Sequence, residues 1–331
     1  LQTAIERRPD QASLAAELEV VSRSPVYAQA PLTQFSRWRI GGPADYLVDL
    51  RSGPAVPDTL AWLNARGIPV IVIGDGSNIL FDDAGFRGVV LRIGRALHRL
   101  EIRGTAVTAE AGHFVPRFVH AVASAGLAGA EHAIGIPGTL GGLVAMNGGS
   151  RRKGIGENLT RVRGCTLTGI PFELSQAECK FRYRNSVLLE TGAVVIESDF
   201  EFTPGDKAAM RKDMLSIMRE RRAKFPQRLP NCGSVFVSDP AMYATVGPPG
   251  KAIEETGLKG VRRGGAQISP LHANFIVNVG NATSADVLGL IALIRQSVFD
   301  RTGFHLQCEV RHISPEGVVR PAHLAAEEAG A

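Results

Sequence analysis

The 331 residues carry a formal charge of +5, with 44% hydrophobic and 6% aromatic residues, enough chain for two or three cores. A mild positive balance with so few aromatics suits an anionic small molecule and argues against nucleic acid, which asks for a concentrated basic face with interleaved aromatics. No run of about 18 apolar residues occurs, and the opening LQTAIERRPDQ lacks the apolar core of a secretory signal, so no membrane insertion and a cytoplasmic location are expected.

In chain order, residues 1–24 read as a polar, partly helical leader. The apolar run 44–50 reads as a strand, and 57–66 as a helix that stops at Gly67. Residues 68–73, IPVIVI, are a buried strand closed by the loop GDGSN at 74–78. Residues 88–93 form another strand, and 98–111 alternate as hairpin strands do. Phe114, Phe118, Val119 and Val122 share a helical face that ends before Gly126. Beyond a glycine-rich stretch, 162–174 and 193–202 read as strands. Residues 206–224 predict a long helix with Met210, Met214, Ile217 and Met218 on one face, ended by Pro226. A second, 284–301, aligns Val287, Ile291, Ile294 and Val298, with Thr283 or Ser284 as cap and Gly303 beyond its end. Residues 305–313 read as a strand, and the Ala/Glu-rich tail from about Arg320 as frayed. Strands and helices mix without a regular βαβ period, which favours α+β over a doubly wound sheet.

The four cysteines, Cys165, Cys179, Cys232 and Cys308, form no C-x-x-C pair and have no histidine at zinc-ligand spacing. Free thiols and no metal are the expectation.

Six of the fifteen residues in GIPGTLGGLVAMNGG, 135–149, are glycine. Such density brings backbone close to something, and successive N–H groups in a loop of this kind cradle phosphates. The spacing is neither the dinucleotide fingerprint nor a Walker loop. The loop 74–78 also follows a buried strand and opens G-x-G, but Ile79 stands where a third glycine would complete a Rossmann turn. Alone it is equally a tight turn stabilised by Asp75 and Asn78; two glycine loops in one chain favour a phosphate-bearing ligand. Further along, FRYRNS at 181–186, NCGSVFV at 231–237 and HLQCEVRH at 305–312 set Arg184, Ser234 and Glu309 in unusual surroundings. Each alone is normally structural or solvated. No G-x-S-x-G elbow surrounds Ser234, which argues against acyl transfer.

Together these strings resemble the UDP-N-acetylenolpyruvoylglucosamine reductase family, FAD enzymes of bacterial peptidoglycan synthesis. The resemblance rests on RIGGPA at 39–44, GDGSNIL at 74–80, GIPGTLGG with MN at 135–147, YRNS at 183–186, CGSVF at 232–236, GLKG at 257–260, GGAQIS with HANFIVN at 264–278, and CEVR at 308–311. They occur in the family's order and cover roughly residues 33–313. The short segment between Tyr183 and Ser234 is similar to the branch lacking an inserted tyrosine-bearing loop.

The resemblance implies an α+β fold of the vanillyl-alcohol-oxidase type. FAD-binding subdomains would occupy 25–93 and 94–204, and a C-terminal substrate-binding domain 205–319, followed by a tail at 320–331. It implies NADPH-dependent reduction of an enolpyruvyl UDP-sugar to UDP-N-acetylmuramate, with FAD as cofactor, NADPH as hydride donor and a monomeric enzyme. FAD contacts would come from Arg39, Ile40, Gly41 and Gly42; from Gly74, Asp75, Gly76, Ser77 and Asn78; and from Gly135, Ile136, Pro137, Gly138, Thr139, Gly141, Gly142 and Asn147. The substrate would meet Tyr183, Arg221, Lys224 and Asn274.

Negative charge develops beside the substrate carboxylate during such a reduction, so the reaction needs a charge stabiliser and a proton donor. The resemblance assigns these to Arg184, Glu309 and Ser234. Arg184 offers a fixed fork of donors that keeps its charge. Ser234 is a weak acid, but a carbanion-like intermediate is basic enough to take its proton. A carboxylate beside a developing anion repels it, so Glu309 is expected protonated or acting through a partner.

The chain departs from the family at Val237, Ser238, Asp239 and Pro240, where a K-N-P-like turn is usual, and at Gly148, Gly149, Ser150 and Arg151, where A-G-A-x is usual. An FAD oxidase of the same fold, or a nucleotide-binding module without activity, are the other readings. The absence of a His or Cys motif for covalent flavin attachment argues against the first, and the joint presence of Arg184, Ser234 and Glu309 against the second.

Overall fold

Two β-sheets of different construction carry the first two thirds of the chain; the computed structural model describes residues 11–330. In the first sheet the strands run in the order Val26–Pro31, Pro43–Asp49, Phe86–Arg92, Val70–Ile73. The last three are parallel, which the helix Ala55–Ala65 makes possible by crossing between them. The second sheet is fully antiparallel, in the order Pro171–Ser175, Leu159–Cys165, Val194–Glu201, Ala106–Glu110, Leu100–Arg103. One core runs between the two: Val48, Leu60 and Leu91 from the first join Phe118, Val162 and Phe200 from the second, all at most 1% exposed.

A second core belongs to the C-terminal third, where Val235, Phe236, Ile268, Ile276, Ile291 and Ile294 are buried together. Trp38, Ile40 and Leu80 of the N-terminal part reach into it. Trp38 Nε1 donates to Ile276 O at 2.7 Å, and Asn278 Nδ2 donates to Trp38 O at 2.9 Å. Strand Arg311–Ile313 completes the connection by pairing in parallel with Ile79–Phe81, directly after the loop 74–78.

The helix-end readings hold. Asp206 accepts from Ala209 N at the start of Lys207–Lys224, a cap worth about 1 kcal/mol. Thr283 and Asp286 form a capping box on Ser284–Thr302, and Gly303 closes that helix at φ +73. Three expectations change. Residues 162–174 are two strands, because Gly169 at φ +84 turns the chain and Thr166 N donates to Ile170 O at 2.9 Å. Of 305–313 only Arg311–Ile313 is strand: Glu309 N and Val310 N both address Val235 O, at 2.8 and 3.5 Å, and this bulge-like doubling interrupts the ladder. The tail is a helix, Ala322–Gly330, whose small residues Ala322, Ala325 and Ala326 are buried in the C-terminal core, with Arg295 paired to Glu327 at 2.5 Å. Of the expected leader, 1–10 lies outside the described residues, and Gln11–Ser22 is helical with Leu18 fully buried.

Candidate active site

A cleft of about 1820 Å³ lies between the parts, and both glycine loops line it. The loops also touch each other, which explains their composition. A Cβ on Gly74 would stand 2.2 Å from Thr139 Oγ1, and one on Gly138, at φ +132, 2.8 Å from Ser77 Oγ. Gly141 backs onto the second sheet, 2.7 Å from Ala111 Cβ by the same construction. Neither loop can approach the other with ordinary side chains at these positions.

Packed this closely, the loops leave backbone donors unused. The N–H groups of Gly76, Ser77, Gly138 and Thr139 make no hydrogen bond among the described residues, and all four residues line the cleft. Unpaired donors around a concave floor fit the diphosphate of FAD. Asp75 is placed differently from its neighbours: Arg92 holds its carboxylate at 3.5 Å and also reaches Asp49.

Side chains build the wall of the same cleft. Arg184 sits in the left-handed region at φ +54, a conformation that costs a non-glycine residue about 1–2 kcal/mol. Its neighbours hold it there. Buried Ser186 donates to Ala145 O at 2.5 Å and caps the short helix Val187–Thr191. Arg184 Nη2 donates to Gly149 O at 2.8 Å, and its Nε lies 3.4 Å from Glu309 Oε1. That separation is longer than a well-formed charge-assisted hydrogen bond, and Nε is buried without a hydrogen-bond partner among the described residues.

Glu309 is largely buried, and burial pushes its carboxyl pKa up, with Arg184 pulling the other way. Ser234 lines the same cleft, one residue before Val235, whose carbonyl receives Glu309 N. Paired backbones therefore present the hydroxyl and the carboxyl. The loop 74–78 positions both: Asn78 Nδ2 donates to Glu309 O at 3.0 Å, Arg311 N donates to Asn78 O at 3.1 Å, and Cys232 Sγ lies 3.4 Å from Gly76 O.

Arg221, on the helix Lys207–Lys224, also lines the cleft with its Nε buried and unpartnered among the described residues. Burial, and then the charge of Arg184, lower its pKa. It crosses Gly135, where a Cβ would meet Arg221 Cδ at 2.3 Å, so Gly135 makes room for this arginine. Tyr183 lines the cleft with Arg184 stacked 5.5 Å from its ring centroid. Ile136, Pro137, Gly142 and Asn147 line it too.

Some expected contacts lie elsewhere. Residues 39–42 are not among the lining residues: Arg39 is exposed, Ile40 is buried in the C-terminal core, and Gly41 and Gly42 pack against Phe81 and Asp83. Lys224 is exposed and paired with Glu220 at 2.7 Å. Asn274 is 4% exposed, with Oδ1 accepting from Phe236 N at 2.9 Å and Nδ2 donating to Phe236 O at 3.0 Å. It clamps the segment that presents Ser234 and does not line the cleft. Arg92 and Met146, one supporting and one lining, carry no local sequence motif that marks them, whereas Ser238, at the departure from the K-N-P-like turn, lines the cleft. The four cysteines are buried and unpaired, and burial pushes the Cys232 thiol to about 12. No cluster of metal-ligating side chains occurs among the described residues, and none of their helices is long and apolar enough to cross a membrane.

Comparison with known proteins bears on both parts of the chain. Residues 44–175 match the model of an FAD binding domain, and 225–313 that of the UDP-N-acetylenolpyruvoylglucosamine reductase C-terminal domain. The chain is 49% identical over 300 residues to UDP-N-acetylenolpyruvoylglucosamine reductase 1 of Corynebacterium glutamicum, covering 91% of this chain and 90% of the relative. It is 37% identical over 301 residues to the reductase of Moorella thermoacetica, covering 91% and 97%. The crystal structure of the reductase from Thermus caldophilus superposes with a TM-score of 0.72 at 29% identity, covering 88% of this chain and 98% of that one. The expected α+β fold, an FAD-binding part followed by a C-terminal domain, accords with these matches. On this evidence the chain belongs to the UDP-N-acetylenolpyruvoylglucosamine reductase family.

Proposed function

We propose that this chain reduces the enolpyruvyl double bond of UDP-N-acetyl-3-O-(1-carboxyvinyl)-glucosamine to give UDP-N-acetylmuramate, at the expense of NADPH, for peptidoglycan precursor synthesis. FAD, held on the glycine floor, supplies the two-electron chemistry. The observation that supports the reading best is that Arg184, Ser234 and Glu309 line one cleft together with glycine loops whose backbone donors are unpaired.

Each side chain then has a physical task. Arg184, already aligned by Gly149 O, pairs with the substrate carboxylate and stabilises the charge that grows beside it. Ser234 gives its proton to the carbon that carries that charge. Glu309, whose carboxyl burial pushes toward the protonated form against the pull of Arg184, supports the proton transfer. Arg221 takes the UDP diphosphate, which would satisfy its unpartnered Nε and relieve its repulsion with Arg184. Tyr183 lines the same cleft, and Asn274 contributes by holding the Ser234 segment. The domain division at 93, 204 and 319 is part of this reading, as is a monomer.

Spectroscopy tests it directly. The purified protein should carry a flavin absorbance that NADPH bleaches and the enolpyruvyl UDP-sugar restores. A colourless protein that FAD does not reconstitute, or a flavin the sugar does not reoxidise, would sink the proposal.

A further inference from the structure

The mouth of the cleft carries cations that the proposed reaction leaves without a task. Arg151, Arg152 and Lys153 lie just beyond the glycine run, and Lys180 comes from a second segment; all four line the cleft. Asn147 stitches the two segments together: its Nδ2 donates to Arg182 O at 3.0 Å and its Oδ1 accepts from Gly156 N at 3.0 Å. A Cβ on Gly156 would stand 2.6 Å from the Phe181 ring, so the segments are in close contact.

The rim is anchored at two points. Arg151 pairs with Asp213 at 2.7 Å and Glu220 at 3.4 Å, and Arg182 pairs with Glu190. Glu157, the acid on the same stretch, accepts from Gly154 N at 3.1 Å. The side chains of Arg152, Lys153 and Lys180 have no hydrogen-bond or ion-pair partner among the described residues. The backbone is also held in an unusual shape: Asn147, Arg151, Arg152 and Lys180 have φ of +45, +55, +64 and +47. Non-glycine residues persist in that region only where the surroundings enforce it, and such positions concentrate at ligand sites.

We infer that this rim is a phosphate site separate from the glycine floor and from Arg184 and Arg221, and that it receives the 2′-phosphate of the nicotinamide donor. The inference rests on the functional reading above. That reaction brings four phosphate groupings to one cleft: the diphosphates of FAD, of the UDP-sugar and of the nicotinamide donor, and that donor's 2′-phosphate. The diphosphate of FAD has the unpaired backbone donors, and Arg221 suits the diphosphate of the UDP-sugar or, in the other half-reaction, that of the donor. The 2′-phosphate is a terminal monoester, the most highly charged of the four per phosphorus. It suits flexible, exposed cations at a mouth open to solvent. The rim therefore discriminates NADPH from NADH.

The test uses the FAD-loaded protein with Arg152→Gln and Lys153→Gln together, then with Lys180→Gln added. Flavin absorbance reports folding. Lys212→Gln, an exposed helix position outside the cleft, removes one positive charge elsewhere. Rapid-mixing reduction should show NADPH affinity falling about tenfold or more in the double variant, while NADH changes less than about twofold and Lys212→Gln changes neither. Adenosine 2′,5′-bisphosphate should bind the unsubstituted protein more tightly than adenosine 5′-monophosphate and lose that advantage in the variants. Equal weakening of both donors, no weakening of either, or weakened UDP-sugar binding with NADPH unchanged would overturn the assignment. A protein that neither donor reduces would overturn the functional reading instead, and the bisphosphate comparison would still decide the rim.

Discussion

The floor of the cleft is backbone and its wall is side chain. On the floor, Gly74, Gly138 and Gly141 let two loops and a sheet approach within distances no Cβ tolerates, and the reward is a row of unused N–H donors. On the wall, Arg184, Glu309 and Ser234 come from three separate stretches and are held by long-range backbone hydrogen bonds. A floor of this kind binds a cofactor whatever its side chains are. A wall of this kind works only if each group is placed. Damage to the floor should therefore appear as lost flavin, and damage to the wall as lost turnover with flavin retained.

The largest break in that contrast is Arg184→Ala. Turnover should fall by about 100- to 1,000-fold, typical for a preorganised charge stabiliser, with flavin content unchanged. Steady-state kinetics beside an absorbance ratio checks both halves. On the floor, Gly141→Ala forces a methyl to within 2.7 Å of Ala111 Cβ. Overpacking of this sort costs about 1–3 kcal/mol, to be read as weaker FAD retention and a lower melting temperature.

Asn78→Ala falls between the two regions, because its amide joins the floor loop to Glu309 O. A turnover loss of about tenfold with FAD still bound is expected, in line with losing one positioning hydrogen bond. If only flavin affinity changes, Asn78 belongs to the floor alone. The smallest change should be in pH dependence. Burial raises the Glu309 pKa, so its protonated form persists above the usual carboxylate range and is lost as pH rises through that elevated value. Reoxidation by the UDP-sugar should decline over that window, and Glu309→Gln should remove the decline. Since the raised value is a property of the folded state, Glu309 also favours folding at low pH and ceases to do so as pH rises through it.

The floor was more legible in the sequence than the wall, for a physical reason. Glycine requirements are local and show as composition, and so do the helix ends at Asp206, Thr283 and Gly303. The functional residues of the wall became readable only through family resemblance, because nothing near Ser234 or Glu309 in sequence marks their meeting. The stretch 305–313 reads as an unbroken strand because its interruption depends on Val235 O, a distant partner. Asn274 reads as a substrate contact until Phe236 is seen to occupy both ends of its amide. The tail reads as frayed because alanine has little hydrophobic signal, yet its small size is what lets it pack into the C-terminal core.

Ser234→Ala tests the division between floor and wall most directly. With the two half-reactions followed separately by flavin absorbance, reduction by NADPH should match the unsubstituted protein, while reoxidation by the enolpyruvyl UDP-sugar should be slowed by about 100-fold or more. Reoxidation at the original rate would contradict the account.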